Sequence, residues 1–249
     1  MSGAVNTMSK RQRYEFWAGF SAFLIIVLGL IIGSVWLFQT LIDEEQLPLT
    51  GVIIQGERAY TSNNEVVQVL TEHETGSFFA ADADIIRRRI EALPWVYSAS
   101  VRKEWPGTLR VFLVEQKPVA VWNKKELLNS SGELFSADPS QVEGTIPELE
   151  GPEDDADEVF FQYQRIQALL ARNDHRIVRF AMSERFSVRL WLESGIELRL
   201  GREARLERAQ RFMKLLPIIQ GEGKQDIAYI DLRYDTGVAV GWHDIQPGE

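Results

Sequence analysis

Between Phe16 and Ile42 the chain reads FWAGFSAFLIIVLGLIIGSVWLFQTLI, 27 residues without one charged side chain. Wound as a helix at about 1.5 Å per residue, such a run is roughly 40 Å long and outreaches a hydrocarbon core of about 30 Å. The core helix of a soluble domain does not need that length. Trp17 near one end, and Trp36 and Phe38 near the other, suit the depth of lipid headgroups. Lys10, Arg11 and Arg13 precede the run, and Asp43, Glu44 and Glu45 follow it. The positive flank stays inside, so residues 1–15 read as a cytoplasmic tail, 16–42 as a single transmembrane helix and the remainder as exported. The alternative is a cleaved signal peptide, whose apolar core spans only about 7–15 residues and ends at a small-x-small site. No clear site of that kind follows, and we read an uncleaved anchor.

Of 249 residues, removing the first 42 leaves 207, room for two small domains. Lys10, Arg11, Arg13 and Glu15 give the first 42 residues a net +2, so a whole-chain charge of −9 leaves −11 on the exported part. That balance argues against nucleic acid, which requires a basic footprint, and against extended contact with an anionic membrane surface. With no cysteine, an oxidising compartment is harmless, and hydrophobic cores must hold the fold without disulfides.

After a linker at 43–50, Val52 to Gln55 reads as a strand closed by Gly56. Ser62 and Glu65 have capping-box spacing ahead of a short helix that runs to about Glu74 and ends at Gly76. Asp82 caps a second helix stopped by Pro94, with Arg87, Arg88 and Arg89 fanned around its surface. From Tyr97 the period becomes 2: Ala99, Val101, Lys103 and Trp105 share a face, Pro106-Gly107 turns, and Leu109, Val111 and Leu113 follow. This β-α-α-β-β order over residues 51–117 resembles a POTRA domain, a small α+β module that binds other proteins.

Pro118 opens the second domain, 118–249. Val119 to Trp122 is a strand, and Asn129-Ser130-Ser131-Gly132 turns a hairpin between Leu127-Leu128 and Leu134-Phe135. Glu143 to Glu158 reads as an exposed acidic loop, followed by a helix from about Asp157 to Arg172. Ile177 to Arg199 holds three alternating segments; a helix from Glu203 stops at Pro217; two strands close the chain around Asp235-Thr236-Gly237. The fold class is α+β, with the second domain predominantly antiparallel β with helices.

Catalytic patterns are sparse. Asp235-Thr236-Gly237 is the triplet of aspartic proteases, whose mechanism needs two such carboxylates sharing a proton; one is present, and a hairpin turn is the plainer reading. His73, His175 and His243 are scattered without ligand spacing, which favours surface positions over a metal. The acids from Glu153 to Glu158 lack EF-hand spacing. There is no GxSxG and no P-loop. No catalytic residue, metal or cofactor is assigned, and a binding protein is favoured over an enzyme. The terminal hairpin is the better site. Ala228, Ile230 and Leu232 share one face and Tyr229, Asp231 and Arg233 the other; on the return strand Val238, Val240 and Trp242 are apolar while Ala239 and Gly241 stay small. A late strand left at an edge is a template for another strand, and the residue types alone fit an ordinary core hairpin equally well.

The charge-flanked anchor, Leu93-Pro94-Trp95-Val96, Val101-Arg102-Lys103-Glu104-Trp105-Pro106 and Pro118 to Asn123 resemble the FtsQ proteins of bacterial cell division. Most specific is Tyr229-Ile230-Asp231-Leu232-Arg233-Tyr234-Asp235-Thr236-Gly237 followed by Val240-Gly241-Trp242. The resemblance implies a non-enzymatic inner-membrane protein with a periplasmic POTRA domain and β domain, in complex with FtsB and FtsL. It implies a link between early and late division proteins, a part in controlling septal peptidoglycan synthesis, and FtsK, FtsW and FtsI as further partners. FtsB would add a strand to the edge formed by the last strand of the β domain. Arg233, Tyr234, Thr236, Gly237 and Trp242 occupy the matching positions, with Arg185 as a second basic contact. In that reading Arg233 pairs with an acid of the partner, Tyr234 packs at the contact and Gly237 lets two backbones approach. The rival functions are a membrane-anchored cell-wall hydrolase and a POTRA-bearing secretion or assembly factor, which would carry a barrel or further POTRA repeats.

Overall fold

The computed structural model of the chain describes residues 10–42, 51–72, 81–222 and 226–243. The first element is helix α1, Lys10–Ile42, within which Trp17–Thr40 is long and apolar enough to cross a membrane. The helix starts inside the stretch read as a tail, since no breaker separates Lys10 from Phe16. Two of its hydroxyls turn back on the helix: Ser21 donates to the Trp17 carbonyl at 2.8 Å and Thr40 to the Trp36 carbonyl at 3.0 Å. These two hydroxyls are thereby satisfied within the helix, as a lipid environment favours.

Two compact units divide the chain, one reaching to Val114 and the other starting at Glu115. In the first, strand β1 (Gly51–Gln55) is followed by helices α2 (Asn63–Thr71) and α3 (Ala83–Glu91) and strands β2 (Val96–Glu104) and β3 (Thr108–Glu115). This is the expected β-α-α-β-β order. The sheet runs β1-β3-β2, with β1 parallel to β3. Ser62 and Glu65 form the full capping box, and the Asp82 carboxylate accepts from the amides of Asp84 and Ile85. Each cap satisfies amides that the first helical turn leaves unpaired. Val66, Leu70, Ile86 and Ile90 from the helices meet Val96, Leu109, Val111 and Leu113 from the sheet in one buried cluster. Lys103 reaches from β2 to the carbonyl of Ala81 at 2.8 Å. Trp105 departs from the expected face: it lies beyond β2 and is 77% exposed. The expected end of the first of these helices, at Glu74 and Gly76, falls outside the described residues.

The second unit is built on a nine-stranded sheet. Its strands are β4 (Pro118–Trp122), β5 (Glu126–Asn129), β6 (Leu134–Phe135), β7 (Glu148–Glu150), β8 (Ile177–Met182), β9 (Val188–Leu192), β10 (Glu197–Gly201), β11 (Ile227–Asp231) and β12 (Ala239–Trp242). Their spatial order is β12-β11-β10-β9-β8-β7-β4-β5-β6. Five of the eight neighbouring pairs are antiparallel; β10/β11, β7/β8 and β4/β7 are parallel. Helices α4 (Ala156–Leu170) and α5 (Arg205–Glu222) pack on each other and on the sheet. Leu190, Leu192, Leu198, Leu200 and Ile230 from the strands meet Ile166 and Phe212 from the helices in the buried core.

Two expectations are corrected. The stretch read as an acidic loop contains β7, a central strand whose Leu149 is fully buried. It has only three residues and is parallel to both neighbours, so neither alternation nor a hairpin turn marks it. Helix α5 does not stop at Pro217 but continues to Glu222. Pro217 is exposed, where water can serve the carbonyl that proline leaves without its helical donor.

Candidate partner-binding edge

Strand β12 is the last strand of the sheet and, among the described residues, pairs on one side only, antiparallel to β11. Ala239 faces Asp231, Val240 faces Ile230, Gly241 faces Tyr229 and Trp242 faces Ile227, with a bulge in β11 at Ala228. The amide of His243 donates to the Asp226 carbonyl at 2.9 Å, so residue 243 directs its backbone groups toward β11. Backbone direction alternates along a strand, hence Val240 and Trp242 direct theirs outward, toward the free edge.

The side chains alternate as well. Val238, Val240 and Trp242 pack against the core. On the opposite face Arg179, Trp191, Glu197, Tyr229 and Gly241 stand directly opposite one another across five strands, β8 to β12. The guanidinium of Arg179 lies 4.6 Å from the Trp191 ring and that of Arg199 lies 3.9 Å from the Tyr229 ring. Tyr229 then lies over Gly241, in the space a Cβ there would occupy. Glycine at 241 is therefore a consequence of close approach within the fold.

Between the two strands, residues 232–238 form a loop that carries most of the anticipated site. Tyr234 is 56% exposed, and Arg233, Asp235, Thr236 and Gly237 are exposed beside it. Among the described residues a Cβ on Gly237 would meet nothing within 4 Å, so none of them accounts for a glycine there. Arg233 is already paired: Nη2 donates to Asp231 Oδ2 at 2.6 Å and Nε to Oδ1 at 2.9 Å. The Asp231 carboxyl is held below its ordinary value, first by these guanidinium bonds and also by the amide of Arg233, against the cost of its burial. Among the described residues Arg233 Nη1 makes no hydrogen bond, so an acid from outside would join an existing ion pair instead of finding a lone cation. Trp242 sits at the far end of β12, about 10 Å along from Ala239 at 3.4 Å per residue. Arg185 is exposed in the β8–β9 turn, at the same end of the sheet as the loop but three strands across.

The residues that shape this loop were not anticipated. Arg211 of α5 donates to the carbonyls of Leu232, Tyr234 and Asp235, and Arg208 to those of Leu200 and Arg233. Their three-residue spacing, shared with Arg205, puts them on one helix face, and no motif in the sequence marks that face as a site. The protease triplet falls in the exposed loop, and the nearby Asp231 carboxylate is occupied by Arg233. His175 packs its ring 5.5 Å from that of Phe212, His243 is exposed, and His73 lies outside the described residues.

Residues 47–116 match the model of the FtsQ-type POTRA domain, and residues 120–233 that of the C-terminal domain of cell division proteins FtsQ/DivIB. The chain belongs to the FtsQ family. Similar relatives are the cell division protein FtsQ of Shewanella oneidensis, 40% identical over 237 residues, covering 95% of this chain and 90% of the relative. FtsQ of Escherichia coli is 38% identical over 234 residues, covering 91% and 85%. FtsQ of Vibrio cholerae is 35% identical over 229 residues, covering 90% and 86%. A cell division protein with a POTRA domain, a C-terminal β domain and one N-terminal apolar helix suited to a single membrane crossing is the outcome. The match to the FtsQ C-terminal domain ends at residue 233, so Tyr234, Thr236, Gly237 and Trp242 lie past it.

Proposed function

We propose that this FtsQ-family protein is a division scaffold without catalytic activity, anchored in the inner membrane with its N-terminus in the cytoplasm and both folded units in the periplasm. It binds FtsB, with FtsL in the same complex, by accepting a strand on the free edge of β12. Through that complex, and through FtsK, FtsW and FtsI, it links early and late division proteins at the septum and helps control septal peptidoglycan synthesis. The observation that carries this reading is the position of β12 at the end of the sheet, with the exposed Tyr234 loop beside it.

Magnitudes define what the edge must supply. The N–H and C=O groups of Val240 and Trp242 offer about four backbone hydrogen bonds, worth ~0.5–1.5 kcal/mol each. Association costs at least ~4 kcal/mol in lost freedom, so backbone pairing alone does not hold two proteins together. Side-chain anchors are required, and exposed Tyr234 and Arg233 are of the types that dominate interface energies. Confinement of both partners to one membrane raises their effective concentration.

The test is calorimetric titration of the full chain in nanodiscs with the periplasmic segment of FtsB. Tyr234→Ala is expected to weaken binding at least about tenfold, a loss of roughly 1.4 kcal/mol, with an unchanged thermal midpoint. Full affinity in the folded variant contradicts the edge assignment, and no binding by the wild type overturns the reading.

A further inference from the structure

Arg205, Arg208 and Arg211 recur every third residue on α5, and each guanidinium ends on backbone carbonyls of another segment. Arg205 donates to Phe186 in the β8–β9 turn at 2.9 Å. Arg208 bridges Leu200 at 2.7 Å and Arg233 at 3.1 Å. Arg211 takes three: Leu232 at 2.6 Å, Tyr234 at 2.7 Å and Asp235 at 2.8 Å. The carbonyls of four consecutive residues, 232 to 235, thus accept from two side chains of one helix. In an extended strand successive carbonyls point to opposite sides. Here the backbone instead curls around the Arg211 guanidinium, and the side chains of Arg233 and Tyr234 stand exposed.

We propose that Arg211, assisted by Arg208, is a positioning residue for partner docking: its guanidinium is the template on which the 232–235 loop is shaped, so that Tyr234 is presented before the partner arrives. This rests on the docking reading above. A preformed loop binds without losing freedom at that moment, whereas a loop that is competent only part of the time loses apparent affinity in proportion to that fraction. The clamp also occupies the loop carbonyls, so an incoming strand must seek its backbone partners on β12 itself. The partner's strand is therefore matched to Ala239–Trp242, and it meets the loop through side chains.

The experiment uses the full chain in nanodiscs, as wild type, Arg211→Ala, Arg211→Lys, Tyr234→Ala and the Arg211→Ala/Tyr234→Ala double variant. Two quantities are read: affinity for the FtsB segment and, without partner, amide hydrogen exchange at Leu232 and Arg233 of the loop, whose amides donate to the Arg199 carbonyl at 3.0 Å and to Asp231 Oδ1 at 3.1 Å. Arg211→Ala is expected to speed loop exchange at least about tenfold while Phe212 and Leu216 stay protected, and to weaken binding about tenfold. Arg211→Lys recovers part of both, since an ammonium can serve some of the carbonyls. The double variant binds within about twofold of Tyr234→Ala, because both changes remove the same contribution. Slow loop exchange in Arg211→Ala overturns the inference, as does unchanged affinity when Tyr234→Ala loses it, or losses that multiply in the double variant. Unchanged affinity in both single variants overturns the docking reading and this inference with it.

Discussion

Replacing Phe212 with alanine is expected to destabilise the β domain by about 3–5 kcal/mol, the range for a fully buried phenylalanine. Phe212 is 0% exposed and stands mid-helix in α5, within the cluster that joins the sheet to both helices. A hole there is bounded by a sheet on one side and by α4 on another, and neither collapses without breaking hydrogen-bonded geometry. Arg211 precedes Phe212 directly, so the loop clamp loosens with the helix and partner affinity falls too. Calorimetric unfolding checks this: the β-domain transition moves down by many degrees while that of the first unit stays. A shift equivalent to less than about 1 kcal/mol contradicts the packing described.

The second large effect belongs to the first unit. Gly56 has φ +124, a conformation that side-chain-bearing residues rarely adopt, and a Cβ there would collide with the carbonyl oxygen of Leu113 in β3. Gly56→Ala therefore combines backbone strain of about 1–3 kcal/mol with a clash of about 1–3 kcal/mol, an expected loss of about 2–6 kcal/mol. Leu113 belongs to the buried cluster in which Val66, Ile86 and Ile90 meet Leu109 and Val111, so a shift of β3 disturbs the packing of the whole POTRA core. Because the β domain has its own core, binding of the FtsB segment to Gly56→Ala is expected to match wild type. Protection of the first unit in hydrogen exchange, read alongside that affinity, checks both halves.

What was legible in the sequence follows the range of the interactions that cause it. Ser62 with Glu65, and Asp82, act within one helical turn, and their caps appear as expected. Alternation at Leu109, Val111 and Leu113 likewise marks a strand whose one face is buried. Strand β7 leaves no such mark because its three residues are held by β4 and β8, distant in the chain. Pro217 looks like a helix stop, yet a proline on an exposed helix face costs less than one against the core. At the site, the loop and its exposed residues were readable from the hairpin pattern. The shared face of Asp231 and Arg233 was too, since positions two apart lie on one side of a strand. Their pairing with each other was not anticipated, because the sequence reading assigns Arg233 to an acid of the partner. The Arg211 clamp was not: it joins residues 21 to 24 positions apart, and only the docking of α5 brings them together.

The central claim, strand addition on β12, is tested most directly by amide exchange at Val240 and Trp242 in the full chain, with selective ¹⁵N-valine, ¹⁵N-glycine and ¹⁵N-tryptophan labelling. Both amides point outward by strand alternation, so they exchange rapidly in the free protein while Gly241, directed at β11, is protected. Adding the FtsB segment is expected to protect Val240 and Trp242 together, leaving Gly241 unchanged. Saturating binding that leaves both outward amides exchanging at their free rates would contradict strand addition at this edge.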